Sequence, residues 1–218
     1  RNPKKILLKF FDLFLKKGGK FEKQNVETIN FDSSEKPIVK TVLNSYAFDK
    51  VIIACGAFSK KLTDQMNENI PLDTERGYHV HFKDYDHLIS RPIIFLNQGF
   101  GMTPMDQGLR VVGTVEFGGL KNPISKGRIN NLVKNAKYLL PQLESVEHHD
   151  EWLGFRPSLP DFLPVMGQSK NYKNLFYSFG HHHLGWTLAA ISGKIISGLV
   201  AEENTNLDLK PYSSLRFS

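Results

Sequence analysis

The sequence predicts an α/β (mixed α+β) protein in which an antiparallel sheet interrupts a strand-and-helix unit. The first 70 residues combine a helical pattern with strand patterns, and residues 151–218 return to a strand followed by a long helix. Between them, residues 71–150 hold short β-prone segments separated by glycine-bearing turns, which is typical of an antiparallel sheet. This order indicates two domains, with the middle third of the chain inserted into the other.

Composition narrows the class of protein. The chain has 218 residues, 40% of them hydrophobic, and a single cysteine, which favours a folded protein without a disulfide framework and a cytoplasmic location. The net charge is +6, and seven lysines lie within the first 23 residues without the interleaved aromatic residues of a nucleic-acid surface. Nucleic acid is therefore not expected as a partner. An acidic substrate and an anionic membrane surface both explain the charge.

Residues 3–17 form the first predicted helix. Apolar residues recur there at helical spacing, and Gly18-Gly19 ends the helix, as glycines beyond a helix terminus commonly do. The broad apolar face predicts that this helix covers a sheet within its own domain. The lysines on the other face leave a membrane-surface helix as the alternative.

Three strands are predicted next, over residues 23–31, 37–43 and 48–54. In the first strand, Val26 and Ile29 are expected on different faces. The third is a continuous apolar run, which indicates a buried and parallel strand. It leads into Ala54-Cys55-Gly56 and a short helix, an order that brings backbone N–H groups towards a phosphate.

The remaining elements follow from alternation and helical periodicity. A helix is predicted over residues 125–140, capped by Ser125 and ended by Pro141, and residues 151–183 are predicted as loop and strand. A long helix follows over residues 184–202, and its small residues allow close approach of another group. The antiparallel sheet is predicted from four short strands, at residues 78–82, 91–96, 99–104 and 109–115.

The stretch FGHHHLGWT, residues 179–187, has three candidate explanations: a metal site, a pH sensor, or a backbone turn made by its glycines. Neighbouring side chains of an extended segment point to opposite faces, so only His181 and His183 could share an ion, and no metal site is predicted. The helix that begins at Gly185 presents free N–H groups and a partial positive charge. Gly180 and Gly185 let backbone approach a planar ligand closely.

Arg156 is the candidate anion-binding residue. It precedes Pro157 in a proline-rich loop, so its guanidinium is held in place, and its planar fork suits a carboxylate. The alternative is that Arg156 pairs with Asp161 and only fixes the loop.

Together these segments resemble the D-amino-acid oxidase superfamily of FAD enzymes, over essentially the whole chain. The Gly-His-x-x-Leu-Gly-Trp-Thr form is most similar to that of bacterial D-amino acid dehydrogenases. The matching motifs are Gly154-Phe-Arg-Pro with Asp161, Pro164 and Gly167; Gly180-His181-(x3)-Gly185-Trp186-Thr187; residues 48–59; Arg76-Gly77-Tyr78; and Leu209-Lys-Pro-Tyr with Arg216.

The resemblance implies roles for individual residues, with FAD as cofactor and a small amino acid as substrate. Arg156 is expected to bind the substrate carboxylate, and Tyr78 to line the substrate pocket. His79 is as readily explained as a strand residue facing solvent. His182 and His183 replace smaller residues of the motif and are expected at the pocket mouth. The implied cofactor-binding residues are Val26, Ala54, Cys55, Gly56, Gly180, His181, Gly185, Trp186 and Thr187.

The resemblance also divides the chain. Residues 1–70 and 151–218 are expected to be parts of a Rossmann-like FAD-binding domain, and residues 71–150 a substrate-binding domain. No Gly-x-Gly-x-x-Gly motif occurs in the sequence, although the family holds the ADP part of FAD with one. The chain is therefore expected to be the C-terminal part of a longer protein, with the missing FAD-binding segment as its partner.

The implied reaction is oxidation of a D-amino acid to the imino acid, by hydride transfer to flavin N5, followed by hydrolysis to the 2-oxo acid. The resemblance also allows the protein to contact the inner face of a membrane peripherally, by passing electrons to an acceptor there. Two alternatives stay open. One is oxidation of glycine, sarcosine or a proline-type secondary amine, and the other is a non-catalytic remnant that acts as a binding module.

Overall fold

The computed structural model describes residues 1–217, which form four α-helices and eleven β-strands joined by turns and short 3₁₀ helices. The helices are α1 (Pro3–Lys16), α2 (Lys60–Thr63), α3 (Lys126–Leu139) and α4 (Gly185–Val200). The strands are β1 (Val26–Phe31), β2 (Pro37–Thr41), β3 (Ser45–Ala47), β4 (Val51–Ile53), β5 (Asp73–Phe82), β6 (Ile93–Phe95), β7 (Phe100–Met105), β8 (Gly108–Phe117), β9 (His149–Ser158), β10 (Val165–Gln168) and β11 (Leu175–Phe179).

The chain divides into two compact units. The first unit comprises Arg1–Lys23 and Arg76–Gly154, and the second comprises Gln24–Glu75 and Phe155–Ser218. The expected grouping of residues 1–70 differs from this division at its N-terminal end. Arg1 forms an ion pair with Asp86 at 2.6 Å, and Lys5 forms one with Asp106 at 3.1 Å, so α1 is held to the first unit by charge.

A five-stranded sheet in the order β6-β7-β8-β5-β9 forms the first unit, with β6, β7 and β8 in antiparallel register. The predicted antiparallel sheet is therefore confirmed, and β9 adds a fifth strand from a region expected to be loop and strand. One face of the sheet packs against α3. The buried residues of that core include Tyr78, Val80, Leu109, Val111, Ile129 and Leu132.

The second unit contains two three-stranded sheets, ordered β1-β2-β3 and β10-β11-β4. β11 runs parallel to β4, with Leu175 opposite Val51 and Tyr177 opposite Ile53. The predicted parallel strand thus exists, but it is only three residues long and only Ile53 is buried, while Ile52 is 43% exposed. Both sheets contribute to one core, in which Ile29, Ile53 and Tyr177 are buried.

Two expectations for the N-terminal third need correction. Val26 and Ile29 do not lie on different faces, since both pack into the same core. The register of β1 against β2 shifts between Val26 and Thr28, and this bulge reverses the side-chain alternation.

The second correction concerns α1, which does not cover a sheet in the described structure. None of its side chains is buried, and Leu7 and Phe10 are 58% and 64% exposed. Its ion pairs to the rest of the first unit are those of Arg1 with Asp86 and of Lys5 with Asp106. Its N-terminus is capped locally by Asn2, whose side chain accepts from the Lys5 N–H. Among residues 1–217, no helix combines the length and apolar character needed to cross a bilayer.

Candidate functional site

The fold of the second unit brings two of the predicted cofactor-binding segments to one sheet edge. β4 ends at Ile53 and continues into Ala54-Cys55-Gly56, while the parallel strand β11 ends at Phe179 and continues into Gly180. Parallel neighbouring strands place their carboxyl ends at the same edge, which is where open α/β sheets bind their ligands. Ala54 and Cys55 are exposed there. Residues distant in sequence therefore line one edge of this sheet.

The helix start at this edge has unused hydrogen-bond donors. α4 begins at Gly185, directly after the 3₁₀ turn His182–Leu184, and no side chain caps its N-terminus. First-turn N–H groups such as those of Trp186 and Thr187 therefore have no side-chain partner at this end. The indole of Trp186 is 54% exposed. A sixteen-residue helix also carries a partial positive charge at this end. The arrangement suits a planar group that carries negative charge.

The glycines at this edge differ in their backbone conformation and in the space that a Cβ would meet. Gly180 has φ +82, and a Cβ there would lie 2.4 Å from Leu159 Cδ1, so both conformation and space exclude a side chain. Gly185 has helical backbone angles, and a Cβ would meet only His181 Cβ at 3.5 Å. Gly56 has φ +55, and a Cβ added there would have no neighbouring atom within 4 Å. Gly56 thus leaves open space beside the backbone, and at Gly185 a Cβ would make only an ordinary van der Waals contact.

The histidines of the turn do not share one partner: His181 contacts α4, whereas His182 and His183 contact each other. His181 Nε2 lies 2.9 Å from Ser192 Oγ on α4, and burial lowers the pKa of His181 below its ordinary value. His183 Nδ1 lies 2.5 Å from His182 Nδ1. No group of His, Cys, Asp or Glu side chains within the described residues 1–217 has the arrangement of a metal site. The turn explanation therefore accounts for His181, whose ring ties the turn to α4.

His182 has a partner that the sequence did not indicate. Its Nε2 lies 2.6 Å from Glu75 Oε1, and each of the two side chains is only 10% exposed. His182 has φ +54, a left-handed conformation that is uncommon outside glycine. The pair joins the turn to the start of β5, a separation of 107 residues that no local pattern predicts.

Arg156 lies on β9 and is partly buried without an acidic partner. Its guanidinium nitrogen Nη1 is buried and has no hydrogen-bond partner among residues 1–217. Burial lowers the pKa of Arg156 from its ordinary value, and the nearby charge of Glu75 acts in the opposite direction. Since Glu75 also binds His182, this arginine belongs to the same neighbourhood as the Gly180–Gly185 turn. An unpaired guanidinium nitrogen is suited to an incoming carboxylate.

The alternative Arg156–Asp161 pair does not form. Asp161 instead accepts from Arg216, at 2.6 Å from Nε and 3.3 Å from Nη2. Burial alone would raise the pKa of Asp161, but the Arg216 hydrogen bonds and the Leu163 N–H hold it below its usual value. Arg216 thus fixes the loop, and Arg156 is left free for another role.

Tyr78, expected at the substrate pocket wall, is placed differently. It is fully buried in the core of the first unit, and its hydroxyl donates to Glu116. Glu116 also lies 3.4 Å from Arg76 Nε. The alternation of β5 turns Tyr78 towards α3. Its hydroxyl is therefore engaged with Glu116 within the core.

Two further predicted positions are located by the structure. Val26 begins β1 and is half-buried against the core of the second unit, on a different sheet from Ala54 and Gly180. His79, for which a solvent-facing position was one of the explanations, is half-buried. Its Nδ1 is buried, and its ring stacks on Trp152 with centroids 4.7 Å apart.

Comparison with known proteins assigns a family. The family model described as FAD dependent oxidoreductase matches residues 1–199. A D-amino-acid oxidase of Bradyrhizobium diazoefficiens is 29% identical over 220 residues, covering 100% of this chain and 52% of the relative. A D-amino acid dehydrogenase of Vibrio vulnificus is 30% identical over 196 residues, covering 87% of this chain and 47% of the relative. The chain spans about half the length of these curated relatives.

Solved structures agree with this assignment. Glycine oxidase from Geobacillus kaustophilus matches with a TM-score of 0.79 and 27% identity, covering 88% of this chain and 52% of that one. Iminodiacetate oxidase from Chelativorans shares the fold, with a TM-score of 0.81 at 19% identity. The motif match, the mixed α/β fold and the family model agree, and the chain belongs to the family of FAD-dependent oxidoreductases that includes amino acid oxidases and dehydrogenases.

Proposed function

We propose that this chain is the substrate-selecting and flavin-facing part of an enzyme that oxidises a D-amino acid to its imino acid. Water then converts the imino acid to the 2-oxo acid and ammonia. The observation that supports the proposal most is Arg156, a partly buried guanidinium whose Nη1 has no partner within residues 1–217. A buried unsatisfied charge is costly, so its retention is best explained by a ligand that carries the missing acceptor.

The residues present fit FAD at the edge of the β10-β11-β4 sheet. The backbone of Ala54 and Gly56 would approach its pyrophosphate, and the open space at Gly56 permits the close approach this requires. The Cys55 N–H already donates to Ser59 Oγ at 3.1 Å, so Cys55 would line the path without supplying that donor. The start of α4 at Gly185, Trp186 and Thr187 would face the flavin ring. When bound, FAD supplies the chemistry by accepting a hydride from the substrate.

The protein residues contribute position and electrostatics. Arg156 would bind the substrate carboxylate through its guanidinium fork and so orient the substrate Cα–H. The free N–H groups and partial positive charge of the α4 start would stabilise negative charge on the reduced ring. The His182–Glu75 pair would hold the turn in shape beside the arginine. A general base is not required if the substrate amine arrives uncharged.

A second candidate substrate class is glycine or a small secondary amine. Similarity to the glycine oxidase structure at 27% identity supports it. His182 and His183 are also larger than the residues that the dehydrogenase form of the motif has, and larger side chains at a pocket mouth favour smaller substrates. The two candidates differ only in the amine that is oxidised.

Arg156→Ala tests the carboxylate role. The assay is anaerobic flavin reduction by the full-length gene product that carries this chain, followed by visible absorbance at increasing amino acid concentrations. Losing a bidentate charged hydrogen bond raises the half-saturating concentration by about tenfold or more. Arg91→Ala is the matched control, since Arg91 is exposed. Equal concentration dependence in Arg156→Ala and Arg91→Ala would contradict the proposed role.

A further inference from the structure

A second group of unpartnered polar side chains lies in the first unit, on the sheet face opposite to α3. Tyr78 and Val80 of β5 point into the α3 core, so strand alternation turns His79 and His81 to the other face. On β8, Leu109 and Val111 point into the core, and Arg110 points away. β8 and β5 are neighbours in the sheet, and the rings of His79 and His81 lie 4.9 Å apart. The charge of Arg110 acts on both imidazoles, so the three side chains form one group.

All three side chains have buried nitrogen atoms that lack hydrogen-bond partners. The atoms are His79 Nδ1, both ring nitrogens of His81, and Arg110 Nε. The side chain of His81 is only 8% exposed, and its Nδ1 lies 3.7 Å from Asp150 Oδ2, too far for a hydrogen bond. Each buried unsatisfied group costs about 1–3 kcal/mol. Four such atoms in one group leave hydrogen-bonding capacity that a ligand or ordered water would satisfy.

The charges in the group favour an anion. Burial lowers the pKa of the Arg110 guanidinium without neutralising it, and no acidic side chain among residues 1–217 forms an ion pair with it. Burial and the Arg110 charge lower the pKa of His79 to about 3 and also lower that of His81. At neutral pH the group therefore combines one cation with two neutral imidazoles, each of which can donate one N–H.

One side of the group is closed by an aromatic wall. The indole of Trp152 stacks on the His79 ring at an interplanar angle of 18°. A Cβ at Gly154 would lie 1.8 Å from the Trp152 ring, so Gly154 gives the indole its room. The acidic neighbour, Asp150, is 69% exposed at its side chain, and water screens its charge.

We propose that Arg110, His79 and His81 form a binding site for a small oxyanion, either a carboxylate or a phosphate. Arg110 supplies the charge, and the two imidazoles supply N–H donors beside it. The site lies within the first unit and does not rest on the proposed amine oxidation.

The test uses the whole chain with ¹³C-labelled histidine, observed by NMR at constant ionic strength in chloride buffer. Sodium acetate and sodium phosphate are added in separate titrations, so that the tighter ligand identifies the class of oxyanion. We expect the His79 and His81 ring signals to shift and saturate with either anion. The signal of His87, an exposed histidine in the same unit, should not follow that curve.

Arg110→Gln gives the matched comparison, with Arg91→Gln as an exposed control in the same unit. We expect Arg110→Gln to weaken anion binding by about tenfold or more, and Arg91→Gln to leave it unchanged. Linear, non-saturating shifts of His79 and His81 in the unmodified chain would overturn the proposal and leave ordered water as the occupant. Equal binding by the two variants would also overturn it. The first result needs no variant, so it stands even if Arg110→Gln does not fold.

Discussion

His182 Nε2 lies 2.6 Å from Glu75 Oε1, and this contact connects the glycine turn before α4 to the start of β5. Both side chains are 10% exposed, so neither can regain a water partner without local opening. The backbone of His182 is left-handed at φ +54, which costs about 1 kcal/mol or more for a residue with a Cβ. The Glu75 hydrogen bond offsets that cost and fixes the turn beside Arg156.

Glu75→Ala should therefore destabilise the protein by about 1–3 kcal/mol, because it leaves the buried Nε2 of His182 without its partner. The destabilisation caused by Glu75→Ala should be smaller in the His182→Gly variant than in the unmodified chain. The reason is that glycine tolerates the left-handed backbone and has no side chain that needs a partner. Urea unfolding of both single variants and the double variant measures this coupling. Glu27→Ala, at an exposed glutamate in the same unit, is the control. Additive losses would show that the two side chains do not act as a pair.

The carboxylate of Glu68 connects several segments of the second unit. It is 5% exposed and accepts from the Tyr177 hydroxyl at 3.0 Å and from the Ser214 hydroxyl at 2.8 Å. It also accepts from the Lys170 N–H at 3.1 Å and from the Ser169 hydroxyl. Glu68→Ala should lower the free energy of unfolding by about 3 kcal/mol or more, because it leaves buried donors unpaired. Thermal unfolding checks this against Glu27→Ala, and a loss no larger than the control's would contradict it.

His79 should make the stability of the protein depend on pH. Its pKa in the folded chain is about 3, below the ordinary 6.5, because burial and the Arg110 charge disfavour the imidazolium. Between about pH 6.5 and 3 the unfolded chain binds a proton that the folded chain does not, so stability falls as pH falls through this window.

His79→Gln should reduce the stability loss between pH 7 and pH 4.5 by about 1–2 kcal/mol. Urea unfolding at the two pH values, in buffers that contain only chloride, measures the difference. An unchanged pH dependence in His79→Gln would show that the imidazole is not held neutral.

Gly180 should not tolerate a side chain. Gly180→Ala combines a positive φ with a Cβ 2.4 Å from Leu159, so we expect a loss of about 1–3 kcal/mol. Gly193→Ala is the matched control on α4, where a Cβ meets no atom within 4 Å and alanine favours the helix. In circular dichroism melts, Gly180→Ala should lower the melting temperature relative to the unmodified chain, and Gly193→Ala should leave it unchanged or raise it. Similar melting temperatures would mean that the turn adapts.

Local patterns predicted much of the fold. The helical spacing of residues 125–140, the apolar run of residues 48–54 and the alternation of the middle strands all correspond to observed elements. The bulge between Val26 and Thr28 was not predictable, because it depends on the partner strand rather than on the residues of β1.

The positions of candidate site residues that belong to a local motif were predictable from the sequence. The side-chain contacts that depend on residues distant in the sequence were not. The turn at Gly180 and the helix start at Gly185 correspond to the predicted glycine positions, and their contact with a ligand stays a prediction. The pairing of Asp161 with Arg216 and of Glu75 with His182 joins residues 55 and 107 positions apart. Tyr78 was assigned by motif, yet strand alternation turned its hydroxyl into the core towards Glu116. Buried titratable groups without partners, such as those of His79 and His81, leave no signal in sequence.

The Arg156 neighbourhood is proposed to select an amino acid for oxidation. The most direct measurement is anaerobic visible absorbance of the full-length gene product that carries this chain, before and after addition of a panel of D-amino acids, glycine and sarcosine. We expect a flavin spectrum that bleaches with one or more D-amino acids and ranks them by concentration dependence. A bound flavin that stays oxidised with every D-amino acid would contradict the proposal.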